Sequence, residues 1–238
     1  MGFEHGVVRS GSADIYYELH GDKGEYLVLL HGNAESMKRM KHQIEYFSKE
    51  YRVLAIDSRG HGESGFGHGT LNLATMALDV ENVLESLKID KVNVLGFSDG
   101  ANIAMLLAIK RPELVSKLIL VGGNLKPSGM QFGTFLAVEA AYYMTKVAGI
   151  FDNRLRLEHE FYFLMAKEPD ITPAMLKRIS AKTLVIAGTK DMIKPSHTRL
   201  IADSIKGARL EMPEGDHFII YRTPEVINKL AGDFLRER

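Results

Sequence analysis

Ser98 stands in the run Gly96-Phe97-Ser98-Asp99-Gly100, a G-x-S-x-G spacing. Five residues with two fixed glycines are a weak signal by themselves. The flanks strengthen it. The strand pattern KVNVL (residues 91–95) runs directly in, and the helical pattern ANIAMLLAIKRPE runs directly out. A strand that becomes a helix at once must pivot on the serine under backbone strain. The glycines remove Cβ atoms that would otherwise collide. The hydroxyl then stands above a sheet at a helix N-terminus, where developing negative charge is favoured. The plainer alternative is a serine that caps a helix after a Gly-rich turn.

A serine hydroxyl is a poor nucleophile at neutral pH and needs a general base. Of nine histidines, His217 is the best placed. It lies in Glu214-Gly215-Asp216-His217-Phe218, just after the last expected strand, where a loop can reach back over the sheet edge. His31 precedes Gly32 and is expected to pack its loop, and His61 lies in the turn Gly60-His61-Gly62. A general-base histidine needs an acid that holds its tautomer and stabilises the imidazolium. Asp191, in Gly188-Thr189-Lys190-Asp191, follows the run TLVIA and emerges at the same edge as Ser98. The preceding strand ends in Gly122-Gly123-Asn124, without a carboxylate. Asp216 is a rival, but adjacent residues rarely face each other across a hydrogen bond.

These residues need a sheet to hold them. Apolar runs at Tyr26–Leu30, Arg52–Ile56, 91–95, 117–121 and 183–187 read as strands buried on both faces. A weaker stretch at 208–212 adds an edge strand, and the first 20 residues suggest a hairpin. Helical patterns alternate with the runs, which indicates a mostly parallel sheet flanked by helices. About 60 residues separate the run at 117–121 from that at 183–187, far more than an ordinary connection. This stretch is rich in Phe, Tyr and Met and reads as a helical cap, residues 125–180, inserted into a core of residues 1–124 and 181–238. Most of its aromatics should pack the cap onto the body. Phe132 and Phe135 are the candidates to line a substrate pocket.

The order Ser98, Asp191, His217 is the nucleophile-acid-histidine order of one fold family. With His31-Gly32, the segment Asp57-Ser58-Arg59-Gly60-His61-Gly62-Glu63-Ser64 and the elbow, the chain resembles the α/β-hydrolase superfamily, in its compact lidded esterase-like branch, over nearly its whole length. The elbow supplies one oxyanion donor, the Asp99 N–H. The resemblance implies that the second is the N–H of Asn33, with Ala34 as fallback. It also implies a structural role for residues 57–64. Asp99 is unusual after an elbow serine. Its carboxylate gains from the helix dipole by about 0.3–1 kcal/mol. Alternatively, it reaches the pocket and attracts a cationic substrate group.

Formal net charge is zero with no long basic run, so nucleic acid is not an expected partner. There is no cysteine, hence no disulfide, thiolate metal site or cysteine nucleophile. No phosphate-binding G-x-x-x-x-G-K-[ST] loop or H-E-x-x-H helix occurs, and neither metal nor cofactor is expected. No leader pattern or membrane-spanning stretch is seen, so the expected location is the cytoplasm. The leading expectation is a serine carboxylesterase acting on small or medium acyl esters through an acyl-enzyme. The same residues would also serve thioester, amide or carbon–carbon cleavage, or perhydrolysis. A ligand receptor that has kept the fold is the remaining alternative. Oligomeric state is not legible in the sequence.

Overall fold

The apolar runs and the N-terminal hairpin assemble into one eight-stranded sheet in the computed structural model, which describes residues 3–237 apart from the side chains of Asn153 and Arg154. The strands are β1 (Glu4–Ser10), β2 (Ala13–His20), β3 (Tyr26–Leu30), β4 (Arg52–Ile56), β5 (Val92–Phe97), β6 (Val115–Val121), β7 (Lys182–Ile186) and β8 (Arg209–Glu211). Their order is β1-β2-β4-β3-β5-β6-β7-β8. Only the β1–β2 and β2–β4 pairs are antiparallel. The strand expected at 208–212 is a three-residue edge, and β5 and β6 run two residues further at one end than their apolar runs suggest. All six residues of β5 are buried, as a central strand covered on both faces requires.

The helices are α1 (Lys41–Phe47), α2 (Leu73–Ser86), α3 (Asp99–Lys110), α4 (Phe132–Ala148), α5 (Asn153–Lys167), α6 (Pro173–Leu176), α7 (Pro195–Ser204), α8 (Ile219–Arg222) and α9 (Pro224–Arg236). Two apolar layers sandwich the sheet. One takes α2, α3, α6 and α7, through residues such as Met76, Val80, Ile103, Leu107, Leu176 and Ile201. The other takes α1, α8 and α9, through Ile44, Phe47, Ile220, Ile227 and Phe234. Among the described residues, no helix is long and apolar enough to cross a membrane.

Register brings the sheet's carboxyl ends level. Leu30 pairs with Gly96, Phe97 with Val121, and Val121 with Ile186. The residues that follow β3, β5, β6 and β7 therefore leave the sheet along one edge. Across that edge lie α4 and α5, between β6 and β7. They share a small apolar cluster of Met130, Val138, Tyr142, Ala166 and Ile193. Further along the same connection, Leu176 and Ile179 turn down into the main core instead.

Candidate active site

The turn at Ser98 is built by close approach. A Cβ on Gly96 would lie 2.2 Å from the Gly100 carbonyl oxygen, and one on Gly100 would lie 2.1 Å from that of Leu30. Only glycine lets β3, β5 and α3 converge so tightly. Ser98 itself has φ 53° and ψ −119°, a region that costs a non-glycine residue about 1–3 kcal/mol. Its N–H donates to the Val121 carbonyl at 2.8 Å, which ties the strained residue to β6.

The structure brings Ser98, His217 and Asp191 together. His217 Nδ1 lies 2.8 Å from Asp191 Oδ1, and Nε2 lies 3.1 Å from Ser98 Oγ. An ionised carboxylate can only accept, so the imidazole proton sits on Nδ1 and leaves Nε2 to accept from the hydroxyl. Asp191 Oδ1 also accepts from the Ile193 N–H at 2.8 Å, which holds the carboxylate in place. The rival Asp216 turns away, its carboxylate accepting from Arg222 and from the Phe218 N–H. The glycine at 122 has its own reason. Its φ is +64°, and a Cβ there would meet the His217 ring at 3.0 Å. The absence of a side chain at the end of β6 is thus the room in which the imidazole stands.

Asp99 follows the serine as the first residue of α3, and Asn33 lies in the loop after β3. Among the described residues, neither backbone N–H donates to a protein acceptor. The Asn33 side chain is engaged, donating from Nδ2 to the Phe161 carbonyl at 2.8 Å. Beneath it, His31 and His61 pack with ring centroids 5.3 Å apart. His31 Nδ1 donates to the Gly32 carbonyl, and Nε2 accepts from the Ser58 N–H. Burial pushes both imidazoles down to about 4, so they are neutral props. Asp57 accepts from the N–H groups of Met37 and Glu63 at 2.8 Å and pins the two loops together.

Asp99 departs from a charge resting on a helix dipole. It is 8% exposed, and among the described residues its carboxylate meets Asn102 Nδ2, 3.3 Å from Oδ1. Oδ2 is buried without a partner. Burial, reinforced by the neighbouring Glu168 carboxylate, pushes its pKa up to about 7. Burial thus outweighs the dipole here.

A cavity of about 20 Å³ touches Ser98, Asp99 and His217, with Met130, Met165, Met192 and Glu168 among its walls. That is room for one water. Neither Phe132 nor Phe135 lines it. Phe132, at the first turn of α4, is 71% exposed, and Phe135 packs on the Met130 cluster. The wall is methionine rather than phenylalanine: Met130, two residues before α4, reaches it, while Phe132 turns to solvent and Phe135 onto the Met130 cluster. Glu168 carries no motif that would single it out in the sequence. It accepts from Asn72 and, at 2.7 Å, from the Leu73 N–H, so its carboxylate sits on the N-terminus of α2.

Sheet order, elbow and site all agree with one family. Residues 25–143, half of the chain, match the model of the alpha/beta hydrolase fold family. The chain belongs to that family. It is 29% identical over its full length, and over 99% of the relative, to a protein named "Putative carbamate hydrolase RutD" from Azorhizobium caulinodans. It is 28% identical to the human serine hydrolase BPHL, across 96% of this chain and 85% of the relative. The crystal structure of the enol-lactonase from Burkholderia xenovorans superimposes with a TM-score of 0.81 over 98% of this chain and all of that one. At 22% identity, that likeness shows the fold alone. Family and relatives together support hydrolytic activity.

Proposed function

We propose that the protein is a serine hydrolase that cleaves small or medium acyl esters through an acyl-enzyme, with Ser98, His217 and Asp191 as its triad. The continuous hydrogen-bond chain from Asp191 through His217 to Ser98 carries this reading. His217 Nε2 takes the hydroxyl proton as Ser98 Oγ attacks the carbonyl carbon. The N–H groups of Asn33 and Asp99 receive the oxyanion. His217 returns the proton to the leaving alcohol, then activates the water that releases the acid. No cofactor enters this cycle.

Residues 125–180 act as a cap, with α4 and α5 over the serine and α6 seated in the body. A cavity of about 20 Å³ is too small for an ester, so its walls, among them Met130 before α4 and Met165 of α5, must move on binding. Asp99 and Glu168 give the small wall an acidic side, which supports a substrate carrying a cationic group near its acyl carbon. The test is turnover of a panel of short p-nitrophenyl esters. Ser98→Ala and Asp191→Asn should each lower kcat by about 10⁴-fold or more. A fluorophosphonate should label the wild type and spare Ser98→Ala. Covalent labelling of that variant at another residue would overturn the assignment.

A further inference from the structure

The outward side of α4 carries an apolar stripe along its whole length. Phe132, Leu136, Tyr143, Met144, Val147, Ile150 and Phe151, the last two just beyond the helix, are each at least 50% exposed. The opposite face buries Val138, Tyr142 and Thr145. Lys146 is the one charged residue among the exposed positions of this helix. Single exposed apolar residues are ordinary, but a continuous stripe is not. These side chains present on the order of 1,000 Å², beyond the roughly 300–600 Å² of the largest patch on most monomers. It also matches the roughly 800 Å² that each partner contributes to a stable interface.

The spacing names the occupant. With the exposed Ala140, six positions, 132, 136, 140, 143, 147 and 151, pair symmetrically about the peptide between residues 141 and 142, while Met144 and Ile150 stand outside the pairing. A two-fold axis at that point sets Phe132 on the partner's Phe151, Leu136 on the partner's Val147, and Ala140 on the partner's Tyr143. Ala140 near the axis lets two helices approach closely. We propose that α4 is a self-association surface on which a second copy of this chain docks through an antiparallel α4–α4 pair. A lipid surface is less well matched, because a helix lying on a membrane carries a rim of Lys and Arg. Here the neighbouring Lys167 is paired with Glu139 at 3.0 Å.

Sedimentation velocity of the full chain from about 1 μM to about 100 μM should show a monomer–dimer equilibrium, as such an area supports. Leu136→Glu or Val147→Lys alone should raise the dimer Kd at least tenfold. The two together should recover dimer, because the introduced carboxylate and ammonium then face each other across the axis. Both sites are exposed, and circular dichroism checks that the fold is kept. The chain has no cysteine, so Ala140→Cys supplies a single thiol. A short bis-maleimide should cross-link it to a second copy, and Lys91→Cys, at the opposite end of the sheet, should not. A monomer at every concentration would overturn the proposal. So would a dimer indifferent to both charge variants, or a chain that stays monomeric and binds phosphatidylcholine vesicles through this face.

Discussion

Replacing Asp99 by asparagine should change how stability depends on pH, in a direction set by burial. A carboxyl whose folded pKa lies at about 7 against 3.8 for the free side chain holds its proton more tightly folded than unfolded. Stability is then undiminished below about pH 4 and falls as pH rises, until both states are ionised above about pH 7. At about 1.4 kcal/mol per tenfold change in affinity, the full cost approaches about 4 kcal/mol. That is an upper bound, because water enters as the site relaxes. A comparison at any single pH is confounded, because the amide in Asp99→Asn brings N–H donors that cost about 1–3 kcal/mol if left unpaired. That penalty is the same at every pH. The slope therefore carries the information. Urea unfolding of both proteins between about pH 4.5 and about pH 8.5 should show the variant gaining on the wild type by about 2–4 kcal/mol across the range, most of it below about pH 7. The buried imidazoles of His31 and His61 are common to both proteins and cancel. A difference that stays constant with pH, or one that moves toward the wild type as pH rises, would refute the reasoning.

Two further outcomes follow from the same geometry. Matched esters with and without an α-amino group should differ in kcat/KM by about 10–100-fold in the wild type, the value of a hydrogen bond to a charged group. Asp99→Asn should lose most of that preference, and an unchanged ratio would remove the cationic substrate from the reading. Gly100→Ala should destabilise the fold by about 3 kcal/mol or more, since its Cβ would sit 2.1 Å from the Leu30 carbonyl oxygen. A loss under about 1 kcal/mol in chemical denaturation would mean that α3 moves freely against β3.

The sheet was legible because buried parallel strands are written as unbroken apolar runs, and β3, β4 and β7 keep almost the limits those runs suggest. The approach of Ser98, Asp191 and His217 was legible because each follows a strand, and parallel strands deliver their C-terminal loops to one edge. What did not show was anything set by three-dimensional phase. Phe132 and Phe135 were singled out by type and by their place in the insertion, but helix phase turned Phe132 to solvent and Phe135 into the Met130 cluster. Glu168 was invisible for the same reason, because its partners Asn72 and Leu73 lie almost 100 residues away. Of the two sequence readings of Asp99, the helix dipole is the weaker influence, since burial pushes the carboxyl's pKa up and depth is not a local feature.

The Asn33 side chain reaches Phe161 in α5, while Glu160 accepts from the Leu71 N–H and Glu168 from the Leu73 N–H. These bonds tie α5 and the residue after it to the body, and one of them belongs to Asn33, the proposed oxyanion donor. If substrate enters by movement of α5, as proposed, the bond between Asn33 and Phe161 breaks with it. On that proposal an ester entering an open form meets an Asn33 loop that has lost its tie to α5, and reclosure restores the tie.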